Sequence, residues 1–159
     1  LLAAHGTTVY IRGTDQNDAV RILKIDRDGP ANSFQEIYNR LGIDSQVRKA
    51  GAADDANIYF WSGRAEDPRL LSLPVTGGQT TTLIGNAQGS GLLSDGLHVY
   101  LARNGETLQR VPVGGGQVQT LQQRLLDTGV AAGLGSDAQT IYVPQVVKRT
   151  TANILAVSK

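Results

Sequence analysis

The fold of this chain is indicated most clearly by residues 91–102, Gly-Leu-Leu-Ser-Asp-Gly-Leu-His-Val-Tyr-Leu-Ala. Apolar, β-prone runs flank Asp95 and Gly96 on both sides. Asp hydrogen-bonds its own backbone two residues on, and glycine adopts a positive φ without strain, so Asp-Gly between such runs is a strong hairpin signal. The stretch therefore predicts two strands joined by a tight turn, and it gives Asp95 a structural role.

The same pattern recurs along the chain. A β-branched residue followed by Tyr occurs at 9–10, 58–59, 99–100 and 141–142, so the tyrosines are 49, 41 and 42 residues apart. The position five residues before each Tyr is polar in all four copies. It is His5 in the first copy and Asp54, Asp95 and Asp137 in the others. An apolar pair follows each Tyr, namely Ile22/Ile25, Leu70/Leu73, Leu108/Val111 and Ile154/Val157. Four short strands every 41 or 42 residues are typical of a β-propeller blade.

The two middle copies match further. Leu-Pro-Val-Thr-Gly-Gly at 73–78 corresponds to Val-Pro-Val-Gly-Gly-Gly at 111–116, and both continue to a Thr-Leu pair. Proline cannot donate to a strand ladder, which predicts that Pro74 and Pro112 lie at a strand end, an edge or a bulge. The Gly-Gly pairs then mark the turn between a third and a fourth strand.

A family resemblance rests on these motifs. Ser-Asp-Gly-x-x-Val-Tyr at 94–100, followed after an apolar strand by Gly-Gly-x-x-x-Thr-Leu at 115–121, resembles the repeats of TolB-like and YWTD-like propellers. Propellers of these groups serve as binding platforms and scaffolds, and also as substrate-gating or catalytic domains. The fuller signatures Ser-Pro-Asp-Gly and Tyr-Trp-Thr-Asp are absent, so the resemblance assigns no functional residue.

We therefore predict an all-β fold, a β-propeller or partial propeller of about four blades, each of four short antiparallel strands. The repeats are expected at 1–48, 49–89, 90–131 and 132–159, with the last blade incomplete after its third strand. Two arrangements are compatible with these repeats: a four-bladed ring with one trimmed blade, or about half of a larger ring. The absence of Met favours the second arrangement. Open blade edges predict a protein partner or the remaining blades of the same propeller.

One segment allows two interpretations. Ser33 to Glu36 has the form of a capping box, and Phe34, Ile37, Tyr38 and Leu41 have helical spacing, which predicts a short helix over 33–41. A strand from about Phe34 to Tyr38 would instead keep the repeat regular. The sequence does not choose between them.

Composition excludes several classes of partner. Fifteen Lys and Arg against fourteen Asp and Glu give a net charge of +1, which provides no electrostatic case for nucleic acid. No run of residues approaches the roughly 18 apolar positions of a membrane span, so no membrane insertion is expected. Cys is absent, which removes disulfides and thiolate sites. The missing Met and Cys, with the resemblance to envelope propellers, favour a periplasmic or extracellular location.

Ligand-binding candidates lie in the loops after each second strand, because loops on a rigid scaffold carry sites. They are Arg12, Asp15, Asp18, Trp61, Arg64, Asp67, Arg103 and Lys148. Trp61 with its charged neighbours could stack on a glycan or another small molecule, or it could pack between blades instead. Asp15, Asn17 and Asp18 could offer oxygens to a hard cation, although an ordinary polar turn is the favoured interpretation.

Neither metal nor catalytic chemistry is expected. His5 and His98 lie in different repeats without zinc-ligand spacing, and no Gly-x-Ser-x-Gly occurs. We predict no cofactor and a non-enzymatic binding or scaffold module that acts through its loop faces and open edges. The alternative is a propeller domain or fragment of an exported hydrolase or lyase, with catalytic residues in the funnel or on missing blades.

Overall fold

The computed structural model describes residues 1–17, 19–30, 33–40, 51–64, 66–103, 107–125, 133–147 and 151–159. Within these ranges the secondary structure consists of β-strands, without a helix. The strands are β1 Ala3–His5, β2 Thr8–Thr14, β3 Val20–Asp26, β4 Phe34–Arg40, β5 Gly51–Ala53, β6 Asn57–Ser62, β7 Arg69–Pro74, β8 Thr81–Gly85, β9 Gly91–Ser94, β10 His98–Arg103, β11 Thr107–Pro112, β12 Gln119–Gln123, β13 Gly135–Ser136, β14 Thr140–Val147 and β15 Thr151–Ser158.

The strands form four antiparallel sheets in which each strand pairs with its neighbour in the chain. Sheet 1 contains β1 to β4, sheet 2 contains β5 to β8, sheet 3 contains β9 to β12, and sheet 4 contains β13 to β15. The predicted all-β fold of about four units with an incomplete last one is thus confirmed. The described residues include no helix long and apolar enough to cross a membrane.

Successive sheets pack face to face through three buried clusters. The first joins sheets 1 and 2 around Ile22 and Phe60, the second joins sheets 2 and 3 around Trp61 and Val99, and the third joins sheets 3 and 4 around Tyr100. Among the described residues, none of these clusters joins sheet 4 to sheet 1. The core is therefore distributed between neighbouring sheets in chain order.

The second strands of sheets 2 and 3, β6 and β10, each contribute to two clusters at once. Side chains alternate across a strand, so Tyr59 and Trp61 face sheet 3, whereas Ile58 and Phe60 face sheet 1. All four are at most 1% exposed. A strand buried on both faces has no polar alternation, which explains the continuous apolar run in β6.

The outer strand carries the same irregularity in sheets 1, 2 and 3. The register between the third and fourth strands shifts by one residue, which leaves an apolar residue of the outer strand without an opposite partner, namely Ile37, Leu83 and Leu121. A β-bulge turns such a residue toward the same side as its neighbour. Ile37 and Tyr38 are accordingly both buried although they are adjacent.

The structure decides between the helical and the strand interpretation of segment 33–41. Residues Phe34–Arg40 form a strand that pairs with β3, so the helical interpretation is wrong. The bulge at Ile37 places two adjacent residues inside, which imitates helical spacing in the sequence. Pairing with β3 satisfies the backbone and overrides the local capping signal. Leu41 lies outside the described residues.

Proline and glycine occupy the predicted turns. Pro74 and Pro112 are the last residues of β7 and β11, as expected for residues without a backbone donor. Three residues later, Gly77 and Gly115 have φ values of +86° and +85°, and the N–H of each donates to the carbonyl of that proline. The left-handed φ is why these turns use glycine.

Candidate functional site

The strands of each sheet define two ends. We call the end with the turns 54–56, 95–97 and 137–139 the turn end. The opposite end, which we call the loop end, carries the loops 15–19 and 63–68 after second strands and the link 86–90 between sheets 2 and 3. The sequence-predicted site residues that the structure describes belong to the loop end or to strands that reach it, namely Arg12, Asp15, Trp61, Arg64, Asp67 and Arg103.

A buried carboxylate organises the turn end of sheet 2. Asp54 Oδ1 accepts the backbone N–H groups of Ala56 at 2.9 Å and Asn57 at 2.8 Å. Asp54 Oδ2 accepts the hydroxyls of Tyr59 at 2.7 Å and of Ser94, in the next sheet, at 2.8 Å. With 8% exposure, Asp54 is the one charged residue that is buried among those described. It closes a turn and ties sheet 2 to sheet 3.

The same arrangement recurs in the next two sheets. Asp95 accepts two backbone N–H groups of its turn and, at 2.8 Å, the hydroxyl of Tyr100. Asp137 accepts two backbone N–H groups and, at 2.7 Å, the hydroxyl of Tyr142. The five-residue spacing in the sequence is therefore the spacing of a carboxylate-to-tyrosine bond across a tight turn. In sheet 1, His5 takes this position, and its Nε2 lies 3.0 Å from Asp55 Oδ1.

These contacts shift the pKa values of both partners. Burial raises the pKa of Asp95, but hydrogen bonds from two backbone N–H groups and from Tyr100 outweigh it and lower the value to about 2. Burial first, and the bond to Asp95 second, raise the pKa of Tyr100 to about 12. Burial opposes ionisation of Asp54 as well, yet the hydroxyl of Tyr59 and the turn amides hold its pKa below the ordinary value.

The depressed pKa of Asp95 predicts acid sensitivity. Because the folded protein binds this proton more weakly than the unfolded chain, the stabilising contribution is complete above the ordinary pKa of 3.8 and is lost as pH falls toward about 2. We expect the free energy of unfolding, measured by urea denaturation, to fall between about pH 4 and pH 2. Asp95→Asn removes one titrating carboxylate, so its decline should be shallower. An identical slope in the variant would contradict the role given to Asp95.

At the loop end of sheet 1, Asp15 builds its own loop. Its Oδ1 accepts the backbone N–H groups of Asn17 at 2.8 Å and Ala19 at 3.0 Å. Its Oδ2 accepts Nη2 of Arg21 at 2.7 Å, and this bond is the main cause of its lowered pKa. Arg21 also contacts Glu36 at 3.0 Å. Asp15 thus stabilises a polar turn, which is the interpretation that the sequence favoured over a cation site.

Trp61 is part of the core. It is 1% exposed and lies in the cluster between sheets 2 and 3, so its ring presents no face to solvent for stacking. Of its two sequence interpretations, packing between blades matches the geometry. A Cβ on Gly89 would lie 2.5 Å from the Trp61 ring and 2.7 Å from the Ala102 carbonyl, so glycine lets the link 86–90 lie directly over the indole.

The loop 63–68 lies at the same end of sheet 2. Gly63 has a φ of +91°, and a Cβ there would lie 2.2 Å from the carbonyl oxygen of Asp67. The N–H of Asp67 donates to the Arg64 carbonyl at 3.1 Å, and the Asp67 carboxylate pairs with Arg69. Arg64 is exposed, and its side chain makes no hydrogen bond or ion pair with the described part of the chain. These contacts join the described residues on either side of Arg64 and leave its guanidinium exposed.

The other candidates are more scattered. Arg103 donates from Nη2 to the Asn86 carbonyl at 3.3 Å. Arg12 is half-buried on β2, and its Nε is buried without a hydrogen-bond partner among the described residues. Asp18 and Lys148 lie outside the described residues. No side-chain hydrogen bond or ion pair joins two of the described candidates, and the described residues contain no group of three His, Asp or Glu suited to a metal ion.

Sequence reasoning missed a polar cleft at the rim between sheets 1 and 2. Its volume is about 430 Å³, and Glu36, Tyr38, Asn39 and Gln79 contribute to its walls. A Cβ on Gly77 would lie 3.0 Å from the carbonyl of Ile37, because the turn of sheet 2 presses against β4. The Gly-Gly pair signalled that turn, but its contact with β4 depends on how the sheets stack.

Comparisons with known proteins bear on the fold. No family model matches the chain, and no curated protein matches it in sequence. Among solved structures, the computationally designed Ika4 protein has a TM-score of 0.62 and 15% identity, over 99% of this chain and 89% of that chain. Oligogalacturonate lyase in complex with manganese has a TM-score of 0.58 and 12% identity, over 96% of this chain and 45% of that chain. TolB from Acinetobacter baumannii has a TM-score of 0.55 and 14% identity, over 99% of this chain and 42% of that chain.

TolB and oligogalacturonate lyase are propeller proteins, so the likeness shows a propeller-type fold. The chain spans less than half the length of either. At these identities the likeness shows the fold alone. The expected resemblance to TolB-like propellers therefore holds for the fold and has no support from a family model or a curated sequence.

Proposed function

We propose that the chain is a non-enzymatic binding module of the propeller type, which contacts a partner protein through its loop end. The observation that carries the proposal is the exposure of Arg64 and Glu66 at the loop end, where neither side chain bonds to the described residues and a backbone hydrogen bond joins Asp67 to Arg64. Resemblance to TolB supports an exported protein, and we propose a periplasmic or extracellular site of action.

Three contacts involve the described residues of the loop that carries these side chains. The Asp67-to-Arg64 backbone bond closes it, and the pair of Asp67 with Arg69 anchors its end to β7. The N–H of Ala87 donates to the Pro68 carbonyl at 3.0 Å and joins the loop to the link that covers Trp61. A loop that is ordered before binding loses little conformational entropy on binding, which raises affinity. Arginine is also enriched at protein interfaces and among their strongest contacts.

The experiment is a selection of peptides from a random display library on the immobilised chain, followed by affinity measurements with each enriched peptide. We expect the double variant Arg64→Ala/Glu66→Ala to weaken binding at least about ten-fold, equivalent to about 1.4 kcal/mol. Oligogalacturonate in the same assay tests the glycan ligand that the sequence also allowed.

Arg27→Ala supplies the control. Arg27 is an exposed arginine that pairs with Asp28 at 2.9 Å, but it lies beyond β3 at the turn end. Binding that is unchanged in this variant and lost in the loop variant would support the loop end as the contact surface. Peptides that bind both variants equally, or a selection that enriches none, would contradict it.

A further inference from the structure

Sheet 4 presents to solvent a face that is core in every other sheet. Tyr10, Tyr59 and Tyr100 face the following sheet and are at most 2% exposed. Tyr142 holds the same repeat position and is 37% exposed. Ile154 corresponds to Ile22, Leu70 and Leu108, which are fully buried, yet Ile154 is 73% exposed. The sequence repeat thus specifies core residues here that the described chain leaves uncovered.

Sheet 1 shows the complementary feature on its opposite face. In sheets 2, 3 and 4 the residues on either side of the repeat Tyr are fully buried against the preceding sheet: Ile58/Phe60, Val99/Leu101 and Ile141/Val143. Their equivalents in sheet 1, Val9 and Ile11, are only half-buried. Leu23 and Ile25 lie opposite them on β3 and are half-buried too, and Phe34 beside Ile25 is 62% exposed. This face has no preceding sheet in the described structure.

We propose that these two faces bind each other between two copies of the chain. Sheet 1 of one copy packs on sheet 4 of the other as sheet 2 packs on sheet 1 within the chain, and the same contact forms a second time. Both faces carry the residue types that their repeat positions use for packing. Of the five large apolar side chains that are exposed among the described residues, Phe34, Tyr142 and Ile154 lie on these faces.

The size of the assembly points to two copies. A contact between different faces closes into a ring only when the rotation per copy divides a full turn, and otherwise it propagates as an open polymer. The described chain forms four sheets, and propellers typically close with four to eight blades. Two copies related by a two-fold axis would bring eight sheets together, which is within the usual size of a closed ring.

The mass of the native particle tests this proposal with the 159-residue chain itself. We expect light scattering during size-exclusion chromatography to give twice the 16.9 kDa of one chain. Ile154→Glu should halve that mass while far-ultraviolet circular dichroism still shows folded β-structure, because Ile154 is exposed within one copy. Leu97→Glu is the matched control: Leu97 is 72% exposed but lies in a turn away from both faces, so the mass should stay doubled.

Cross-linking tests which faces meet. The chain has no cysteine, so Leu23→Cys and Ile154→Cys each introduce a single thiol. A short bismaleimide that spans the roughly 10 Å between packed sheets should link the two variants when they are mixed, and neither variant with itself. A particle of 16.9 kDa, an open polymer, a dimer that survives Ile154→Glu, or equal linking of Ile154→Cys alone would each overturn the proposal. Loop-end binding could fail without affecting any of these readouts.

Discussion

Replacing Trp61 with Ala is expected to lower the free energy of unfolding by about 3–5 kcal/mol. The indole fills the space between sheets 2 and 3 and is 1% exposed, so its removal forfeits apolar burial and leaves a cavity. The link 86–90 contacts the ring at Gly89, so the substitution would also remove the side chain on which this link packs. Urea denaturation followed by circular dichroism measures the effect without relying on Trp fluorescence.

Two further variants separate packing from polar effects. Phe34→Ala removes an aromatic ring that is 62% exposed, so we expect a change below about 1 kcal/mol in the monomeric Ile154→Glu background. Trp61→Phe should lose less than Trp61→Ala, because Trp61 Nε1 is buried without a partner among the described residues and its removal costs no hydrogen bond. Equal losses for Trp61→Ala and Phe34→Ala would contradict the burial of Trp61.

Replacing Asp54 with Ala should lower the free energy of unfolding by about 2–4 kcal/mol. The change removes the acceptor of four hydrogen bonds and leaves the buried hydroxyl of Tyr59 without its partner. It also removes the bond to Ser94, which joins two sheets. Chemical denaturation at neutral pH measures the loss.

The repeat supplies the control for Asp54. Asp137 accepts two turn amides and the hydroxyl of Tyr142, but its turn is exposed and no bond to another sheet is present among the described residues. Asp137→Ala should therefore cost less than half as much, since water replaces the lost partners. Equal losses at the two positions would show that burial and the bond between sheets contribute nothing.

Much of the fold could be predicted because a short-range rule repeats. The carboxylate of Asp95 needs its turn amides and the hydroxyl of Tyr100 within five residues, so the motif is visible in the sequence. The bulge at Ile37 could not be predicted in the same way, because it depends on how β4 pairs with β3. In the sequence of β4 alone, the unpaired residue produces the spacing of apolar residues that is typical of a helix. Sequence spacing therefore identified the turns better than the outer strands.

The candidate site was less predictable for a related reason. The position of Trp61 after a repeat Tyr is apparent from the sequence, but its burial depends on the approach of Gly89 from the link to the next sheet. Likewise, Asp15 has the composition of a cation ligand, and only Arg21 six residues later shows that its charge is already paired. Contacts between loops and sheets decide which polar groups remain available to a ligand. These contacts cannot be predicted from a local sequence pattern.

Successive sheets stack face to face in chain order, and Trp61 lies at one of these interfaces. Trp61 is the only tryptophan, so its indole N–H gives one unambiguous nuclear magnetic resonance signal. Nuclear Overhauser contacts from the indole ring in a methyl-labelled sample test the stacking of sheet 2 on sheet 3 directly. The structure predicts contacts to methyl groups of Leu92, Val99 or Leu101 in sheet 3. An indole that contacts only residues of sheet 2, or that is open to solvent, would contradict the stacking of sheet 2 on sheet 3.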